Sequence, residues 1–332
     1  MSEQTIIRVR DLRKLFPIRK SLLGSFMSEE DLFLHAVDGV SFDIHQDEVL
    51  GLVGESGCGK TTLGRLLIKL EESTSGEIHF KDTNIVPLSH EEMKEFRPKM
   101  QIIFQDPYES LNPRMTVLDL IAEPLEVNGL VENESEKEEQ VAEILEKVRL
   151  TPPEDYMFRY PHELSGGQRQ RIAVARALVI HPEFVVADEP VSMLDTSTRG
   201  EVLNLMMDLK DMTRSYLFIT HELAVARHFC DRIAIMYLGR IMEMASSDEI
   251  VKNPVHPYTR ALLEATPIPN PESRKEKVHI KGEVVSPINP PRRCRFYTRC
   301  LEAKEICGRL EPELVDIGGG HMVACHFDSN RL

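Results

Sequence analysis

Short apolar runs of strand type alternate with longer stretches of helical periodicity along most of this chain. Three runs, IIRVRDL, AVDGVSFDI and EVLGLVG, lie between residues 6 and 54. Two further runs, MQIIFQ and FVVADEP, flank a long segment, residues 116–170, that reads as helical. Its clearest apolar stripe, spaced i, i+3, i+4 and i+7, is Val141, Ile144, Leu145 and Val148. Strands that alternate with helices in this way predict an α/β fold around a parallel sheet.

A second helical stripe precedes the strand-like run SYLFIT and consists of Val202, Leu205, Met206 and Leu209. The 332 residues are too many for one ordinary domain, and 42% hydrophobic residues suffice for a sizeable core. The strand pattern breaks between residues 17 and 35, where we expect a hairpin-like extension with the apolar residues Leu22, Leu23 and Phe26. From residue 254 the chain becomes rich in proline. We therefore expect a main domain over residues 1–265 and a tail over residues 266–332.

A glycine-rich segment lies between the run EVLGLVG and a helical pattern that begins at Lys60. It fits G-x-x-x-x-G-K-[ST], in which bare backbone N–H groups cradle the α- and β-phosphates of a nucleotide. The positive N-terminus of the helix would add to this cradle. Lys60 would reach the β- and γ-phosphates, and the hydroxyl of Thr61 would bind Mg²⁺. The residues of the expected cradle are Gly54, Glu55, Ser56, Gly57, Cys58, Gly59, Lys60, Thr61 and Thr62.

Two acidic residues follow the apolar run of residues 184–187. Because this run reads as a strand of a parallel sheet, Asp188 and Glu189 should lie at the carboxyl edge, where such sheets bind ligands. We expect Asp188 to hold Mg²⁺ through water and Glu189 to orient and polarise the attacking water. The alternative is an exposed acidic pair without function, against which the nearby phosphate cradle argues.

A second glycine turn opens a helix in LSGGQRQRIAVARAL, residues 164–178. Its bare N–H groups offer a further place for a phosphate. The first cradle already serves the chain's own nucleotide, so this helix start has no local ligand unless it faces a nucleotide on another subunit. The sequence therefore indicates an assembly of two nucleotide-binding subunits.

These motifs together resemble those of the ATP-binding cassette (ABC) ATPases, which are P-loop NTPases. The resemblance implies an α/β core with an antiparallel β subdomain and a helical subdomain, the latter at about residues 106–180. In this family the signature residues cap the γ-phosphate of a partner's ATP across a head-to-tail dimer. The matching residues here are Ser165, Gly166, Gly167 and Gln168.

Further residues match the family by their order along the chain. Gln105, at the end of MQIIFQ, resembles the Q-loop glutamine, Asp195 belongs to a D-loop, and His221 resembles the switch histidine. Phe16 lies where the family places an aromatic residue that stacks on adenine. The resemblance thus implies ATP and Mg²⁺ as cofactors, with catalysis by Glu189 and His221. The residues implied at Mg²⁺ are Thr61, Gln105 and Asp188.

The overall charge and the hydropathy narrow the class of partner. A formal net charge of −14 argues against nucleic acid, because such binding comes largely from lysine and arginine side chains that neutralise phosphates. There is no run of about 18 apolar residues, and Glu3 lies where a signal peptide carries positive charge. We therefore expect a soluble, cytoplasmic chain. Its single cassette needs a second one to complete a dimer.

Four of the six cysteines lie in the tail with the spacing C-x5-C-x6-C-x17-C, and they are Cys294, Cys300, Cys307 and Cys325. Because cytosolic chains rarely keep disulfides, clustered thiols predict a structural metal site. The spacing favours a [4Fe–4S] cluster over zinc, since the close cysteine pairs of structural zinc sites are absent. Zinc with His321 or His326, and reduced thiols without metal, are the alternatives. The arginines that could offset a cluster's negative charge are Arg292, Arg293, Arg295 and Arg299.

The segment HPYTRALLEATP and the cysteine-bearing tail resemble those of the ATPase subunits of oligopeptide and dipeptide importers, and Gln168 is similar to their F-type subunit. The resemblance implies a second ATPase subunit, two permease subunits and an extracellular solute-binding protein, at the cytoplasmic face of the membrane. Residues 106–117, DPYESLNPRMTV, would form the groove for a permease helix. Its position after the main domain suggests that the tail serves assembly or contact with the partner ATPase, not catalysis. Nickel and oligosaccharide importers share this pattern, so the substrate stays open.

Overall fold

The computed structural model describes residues 4–18, 31–265 and 286–326. The apolar residues expected on the hairpin-like extension, Leu22, Leu23 and Phe26, lie outside the described residues. The strands of the described chain are β1 (Thr5–Pro17), β2 (Phe33–His45), β3 (Val49–Val53), β4 (Ser75–Phe80), β5 (Thr83–Asn84), β6 (Met100–Ile103), β7 (Phe184–Asp188), β8 (Ser215–Thr220), β9 (Arg232–Tyr237), β10 (Arg240–Ser246), β11 (Val315–Asp316) and β12 (Met322–Val323).

The helices of the described chain are α1 (Lys60–Leu67), α2 (Pro107–Ser110), α3 (Val117–Val127), α4 (Glu134–Lys147), α5 (Glu154–Met157), α6 (Gly166–Leu178), α7 (Thr196–Asp208), α8 (Leu223–Phe229), α9 (Ser247–Lys252) and α10 (Pro257–Ala265). Helix α1 begins at Lys60, as predicted, and α3 to α6 occupy the segment predicted as helical. Both apolar stripes predicted from the sequence are buried. One lies on α4 and the other on α7, and the last residue of each stripe follows directly after its helix. None of the helices in the described ranges has the length and hydropathy needed to cross a bilayer.

The described residues of the first of two compact units are 4–6, 44–49 and 87–219. Within it β6, β7 and β8 run parallel in that order, with Ile103 beside Ala187 and Asp188 beside Ile219. Strands β7 and β8 are buried at every position, as expected for parallel strands covered on both faces. Helix α6 packs against β6, α3 and α7. The carboxyl ends of all three strands therefore meet at one edge, where a ligand site is expected.

The described residues of the second unit are 7–18, 31–43, 50–86, 220–265 and 286–326. One of its sheets has the order β2-β1-β4-β5, and β4 is antiparallel to both β1 and β5. Elsewhere in the unit β3 and β9 run parallel, and β10, β12 and β11 continue from β9 as antiparallel neighbours. The α/β class and the antiparallel part implied by the resemblance are confirmed. The described tail residues belong to this unit, because β12 pairs with β10.

Candidate nucleotide-binding site

Residues 54–62 connect β3 to α1 in the second unit. A Cβ on Gly54 would lie 2.2 Å from the carbonyl oxygen of Met236. Gly59 has φ +106°, and its Cβ would lie 2.0 Å from the carbonyl oxygen of Ala36. The left-handed conformation alone costs an L-residue roughly 1–2 kcal/mol, and the clash adds to that cost. The loop therefore requires glycine at both positions, as a close-packed phosphate cradle does.

The lysine of this loop is buried within it, with 5% of its surface exposed. Its Nζ donates to the carbonyl oxygen of Gly54 at 2.8 Å and to that of Glu55 at 3.2 Å. Gly59 occupies the N-cap of α1, and among the described residues no side chain caps this helix. The amino end of α1 is thus open to an anion, and the ammonium group of Lys60 lies in the same loop.

The other loop residues differ in exposure. Ser56 and Gly57 are exposed at the tip, whereas Cys58 is buried. The N–H of Gly239 donates to the carbonyl of Cys58 at 2.9 Å, and burial raises the pKa of the Cys58 thiol. The two threonines of the motif open α1 and are half-buried. The tip of the loop is therefore accessible while its base is fixed to the unit.

Two further predicted residues belong to the second unit. Phe16 lies near the end of β1, half-buried, with the Nζ of Lys14 4.8 Å from the centroid of its ring. His221 follows β8, is half-exposed, and its Nε2 lies 3.8 Å from a carboxylate oxygen of Glu222. The adenine-stacking role of Phe16 and the catalytic role of His221 stay predictions.

The first unit carries the two predicted acids at the carboxyl end of β7. Asp188 ends the strand and is 2% exposed, and Glu189 follows it with φ +44°. The N–H of Glu189 donates to the carbonyl of Ile219 on β8 at 3.0 Å, which fixes this strained residue beside the neighbouring strand. Gln105, two residues past β6, donates from Nε2 to Oε2 of Glu189 at 3.3 Å. The structure thus brings these three polar residues together at one sheet edge.

The second glycine turn of the sequence begins α6. Ser165 is the N-cap of this helix, and its Oγ accepts the N–H of Gln168 at 3.3 Å. In return, Oε1 of Gln168 accepts the N–H of Ser165 at 2.9 Å. The two residues form a reciprocal capping box. Part of the hydrogen-bonding capacity of this helix start is therefore already used within the turn.

The glycines of the turn have different surroundings. Gly166 is half-buried, whereas a Cβ on the buried Gly167 would lie 2.3 Å from Cγ2 of Thr198. Asp195 caps α7 by accepting the N–H of Thr198 at 3.0 Å and its hydroxyl at 2.8 Å. Hydrogen bonds from Ser197 and Thr198 lower the pKa of the Asp195 carboxyl. Both Gly167 and Asp195 therefore have packing or capping contacts that the motif match did not reveal.

The four tail cysteines line a single cavity of about 640 Å³ in the second unit. Burial raises the pKa of the Cys294 thiol to about 11 and that of Cys325 to about 12, so burial alone favours the protonated thiols. Across the described ranges, no three His, Cys, Asp or Glu side chains are grouped closely enough to hold a metal ion. The structure thus places four thiols around one space, and the predicted [4Fe–4S] cluster stays a prediction.

The two histidines considered as zinc ligands have other partners. The Nε2 of His321 lies 2.7 Å from Oε1 of Glu243, and the Nε2 of His326 lies 3.0 Å from the carbonyl oxygen of Leu310. Zinc bound through either of these nitrogen atoms would have to displace an existing hydrogen bond.

Glu243 connects the tail to the start of α10. It is fully buried and also accepts the N–H groups of Val255 at 2.8 Å and of His256 at 3.0 Å. Although burial opposes ionisation, hydrogen bonds that include one from His321 lower the pKa of Glu243. Burial lowers the pKa of His256 to about 4, and its Nδ1 accepts the N–H of Tyr258 at 3.0 Å.

Two tail arginines have carboxylate partners. Nη1 of Arg299 donates to Oε2 of Glu55 at 2.8 Å, and Nη2 donates to Oε1 at 3.1 Å. The Nε of Arg295 donates to Glu311 at 3.1 Å, and its Nη2 pairs with Asp38. Both arginines are therefore paired with carboxylates, and the interpretation that the tail arginines offset a cluster's charge stays a prediction. No signal in the sequence pointed to the pairing of Arg299 with Glu55, which are 244 residues apart.

Comparison with known proteins shows the family of this chain. The family model for "ABC transporter" matches residues 37–192, and the model for "Oligopeptide/dipeptide transporter, C-terminal region" matches residues 242–307. A solved structure described as "Dimeric structure of a post-hydrolysis state of the ATP-binding cassette MJ0796 bound to ADP and Pi" is similar at a TM-score of 0.63 and 27% identity, covering 73% of this chain and 98% of that one.

Curated relatives match over most of their length. The putative oligopeptide transport ATP-binding protein YkfD of Bacillus subtilis (strain 168) is 51% identical over 89% of this chain and 90% of its own. AppF of the same strain, an oligopeptide transport ATP-binding protein, is 46% identical over 99% of each chain. The dipeptide transport ATP-binding protein DppF of Haemophilus influenzae is 47% identical over 96% of this chain and 95% of its own.

The chain belongs to the ABC transporter family and is an ABC ATPase. Within that family its similar relatives are ATP-binding proteins named for oligopeptide and dipeptide transport. The chain also carries the C-terminal region of oligopeptide and dipeptide transporters.

Proposed function

We propose that this protein is the ATP-hydrolysing subunit of a membrane importer of di- or oligopeptides. The names of the relatives support peptides over nickel or oligosaccharides as cargo. The subunit would lie at the cytoplasmic face of the membrane, where it would pair with a second ATPase subunit beneath two permease subunits. An extracellular solute-binding protein would deliver the peptide to the permeases, and nucleic acid takes no part.

In this proposal residues 54–62 bind the phosphates of ATP. Lys60 exchanges its two backbone carbonyl partners for the β- and γ-phosphates, because a charge-assisted bond to phosphate is stronger than a bond to a neutral carbonyl. As the resemblance implies, Thr61, Gln105 and Asp188 would hold Mg²⁺, directly or through water. Bound Mg²⁺ would supply positive charge to the phosphate oxygens. Phe16 stacks on adenine.

The contact between Gln105 and Glu189 is the observation that carries the hydrolytic part of the proposal. A glutamine amide 3.3 Å from a carboxylate oxygen, at the carboxyl edge of parallel strands, can order a water molecule beside the γ-phosphate. Glu189 would accept the proton of that water, while His221 would donate a hydrogen bond to the phosphoryl oxygen. The left-handed backbone of Glu189 supports an assignment to the site, since such strain concentrates at functional residues.

The signature turn would act on the partner's nucleotide. Ser165 Oγ would leave the capping box and, together with the N–H groups of Gly166 and Gly167, would bind the γ-phosphate across a head-to-tail dimer. The similar cassette structure is described as dimeric, which supports this arrangement. Asp195 would help to align the facing subunits, as in the family's D-loop.

The segment that follows Gln105 is our candidate for the permease contact. Asp106 caps α2 by accepting the N–H of Tyr108 at 2.7 Å, so the short helix has a defined start. Tyr108 is 64% exposed, and the guanidinium carbon of Arg169 lies 3.9 Å from the centroid of its ring. An exposed aromatic side chain supported by a buried cation suits contact with a helix of another subunit.

Substitution of Glu189 by glutamine tests the hydrolytic assignment. We expect Glu189→Gln to keep ATP binding while it lowers hydrolysis by the assembled transporter at least about 10²-fold, the usual contribution of a positioned base. His221→Ala should give a similar defect. Glu154→Gln, at an exposed acid of α5, is the matched control and should leave turnover unchanged. Near-normal turnover of Glu189→Gln would show that another group is the base.

We also propose that the four tail thiolates bind a [4Fe–4S] cluster. Their location around one cavity of about 640 Å³ supports this proposal. A tetrahedral zinc ion, with Zn–S bonds of about 2.3 Å, needs sulfur atoms within about 3.8 Å of one another. A cubane cluster holds its four thiolates farther apart, which is compatible with thiols that surround an open space.

Anaerobic purification tests the cluster. The protein should be brown and contain about four iron and four sulfide ions per chain. Substitution by serine of any of the four tail cysteines should abolish this, whereas the same change at Cys58 or Cys230, which lie outside the cavity lining, should not. Stoichiometric zinc without iron, or a colourless protein that assembles normally, would exclude the cluster.

A further inference from the structure

One turn of the tail carries two cavity cysteines and two arginines that point to other partners. Residues 294–300 form this turn through hydrogen bonds from Tyr297 N–H to the Cys294 carbonyl at 3.1 Å and from Arg299 N–H to the Phe296 carbonyl at 3.0 Å. Cys294 and Cys300 line the cavity, whereas Arg299 does not. The tail turn, as we call residues 294–300, therefore has one side in the cavity and another at the phosphate-binding loop.

Arg299 binds Glu55 through two parallel hydrogen bonds, at 2.8 and 3.1 Å. Such a two-pronged pair sets the orientation of the carboxylate as well as its position. Arg299 is 8% exposed, and its Nη1 also donates to the hydroxyl of Tyr237 at 3.4 Å. The arginine is thus held from both sides and is not a mobile surface side chain.

Glu55 is the first residue of the loop after Gly54, and its backbone is bound as well as its side chain. Its N–H donates to the hydroxyl of Tyr258 at 3.0 Å. Its carbonyl accepts the N–H of Cys58 at 3.3 Å and the Nζ of Lys60 at 3.2 Å. A displacement of Glu55 would therefore move the carbonyl that holds the Lys60 ammonium.

The charge of Glu55 opposes the binding of an anion in the same loop. A carboxylate beside a phosphate cradle repels ATP unless a cation neutralises it, and burial strengthens that repulsion. Lys60 is committed to the phosphates in the proposed function, so it cannot serve both anions. Arg299 is the described cation that forms hydrogen bonds with the Glu55 carboxylate.

We propose that Arg299 is a positioning residue for ATP binding, which acts by neutralising and orienting Glu55 at the start of the phosphate-binding loop. The tail turn is then a working part of the nucleotide site, in addition to the expected role of the tail in assembly or in contact with the partner ATPase. By linkage, ATP should in turn stabilise the tail turn, because each of two coupled sites affects the other equally. This inference rests on the proposed role of residues 54–62.

Binding of ATP to the full chain, measured with Mg²⁺ present, tests the inference. Arg299→Ala should raise the Kd and the KM for ATP about tenfold, a loss of about 1.4 kcal/mol, with kcat of the assembled transporter within about twofold. Glu55→Gln in the Arg299→Ala background should recover most of the affinity, because it removes the unpaired carboxylate. Arg309→Ala is the matched control, since its pair with Glu305 is exposed and lies within the tail.

The outcomes separate this inference from the proposed function. Unchanged affinity in Arg299→Ala, together with loss of binding in Lys60→Ala, would overturn the inference and leave the loop's role intact. Normal binding by Lys60→Ala would overturn the role of the loop itself. A loss in Arg299→Ala that Glu55→Gln does not repair would mean that Arg299 only stabilises the fold. If Arg299→Ala does not fold, Arg299→Lys is the second variant, because it keeps the positive charge but cannot form the two parallel hydrogen bonds to Glu55. We expect it to raise the Kd for ATP about threefold. An unchanged Kd would overturn the inference.

Discussion

The phosphate-binding loop and the signature turn are both glycine turns that open a helix, yet they leave the helix start in opposite states. At α1 the N-cap is Gly59 with φ +106°, and no described side chain caps the helix. At α6 the N-cap is Ser165, which forms a complete capping box with Gln168. One helix start is therefore open to an anion, and the other is already occupied by its own side chains.

This difference between the two helix starts matches the stage at which each would meet a phosphate. A loop that binds its own nucleotide benefits from a helix start that no described side chain caps, because no capping group has to be displaced when ATP arrives. A turn that meets a phosphate only when two subunits approach is stabilised until then by an internal cap. The reason is that a capped helix start is more stable than one whose first N–H groups have no side-chain acceptor. The capping box therefore keeps α6 ordered while no partner is present.

The largest expected effect separates the two turns directly. Lys60→Ala should weaken ATP binding to the isolated chain by about 10²-fold, because the phosphates lose a buried charged partner. Ser165→Ala should leave that binding unchanged, since the signature turn does not serve the chain's own nucleotide. Titration with a fluorescent ATP analogue measures both. A clear loss of binding in the Ser165→Ala monomer would contradict the assignment of this turn to the partner's ATP.

A glycine of the signature turn should be sensitive to added volume for reasons of packing. Gly167→Ala places a methyl group 2.3 Å from Cγ2 of Thr198 and should destabilise the protein by roughly 2–3 kcal/mol in urea unfolding. Thr198→Ser removes the obstructing methyl, keeps the hydroxyl bound to Asp195, and should restore most of the loss. Gly200→Ala in α7, where a Cβ meets nothing within 4 Å, is the control and should be neutral or stabilising.

The stability of the unit that carries the phosphate-binding loop should depend on pH. His256 accepts the N–H of Tyr258, whose hydroxyl accepts the N–H of Glu55 in the loop. Burial lowers the pKa of His256 from its ordinary 6.5 to about 4, so the unfolded chain takes up a proton at a pH where the folded chain does not. The resulting stability is complete above pH 6.5 and is lost as the pH falls toward 4. At about pH 5 the loss is roughly 2 kcal/mol.

Urea unfolding at about pH 7.5 and pH 5 measures this loss, and His256→Asn isolates it, because an asparagine oxygen can still accept the N–H of Tyr258 but does not titrate. The difference between the two pH values should shrink by about 2 kcal/mol in the variant. An equal difference in both proteins would mean that His256 is protonated as easily in the fold as outside it.

The smallest expected effect is the loss of folding stability when the N-cap residue of α6 is replaced. Ser165→Ala should cost about 1 kcal/mol of folding stability, the usual value for a lost N-cap. Asn133→Ala, which removes the cap of α4 by breaking its bond to the N–H of Glu136 at 3.0 Å, should cost a similar amount. Of these two variants, only Ser165→Ala should impair hydrolysis by the assembled dimer. Equal activity of both variants would mean that Ser165 acts as a cap alone.

Features that depend on neighbouring residues were predicted well from the sequence. The periodic stripe that begins at Val141 is buried, and residues 54–62 join β3 to α1, because both patterns arise within one element or at its end. The location of Gln105 and Glu189 at one sheet edge was also predictable, since parallel strands bring their carboxyl ends together.

Features set by distant residues were not predicted. Arg299 was interpreted from its cysteine neighbours, but its partner Glu55 lies 244 residues away, and no local periodicity links the two. The contact between Gly167 and Thr198 depends on how α6 packs against α7, which motif spacing does not report. The cluster stayed a prediction for a similar reason, because cysteine spacing gives the number of thiols and not the distances between them.

The ion pair between Glu55 and Arg299 has an evolutionary consequence. A lineage that lost the tail would keep an unneutralised carboxylate at its phosphate-binding loop and would be under selection to replace it. Conversely, a lineage that changed Glu55 to a neutral residue would no longer need Arg299. The two positions should therefore vary together among descendants of a common ancestor, and acidic residues at the first should be confined to chains that retain the arginine at the second.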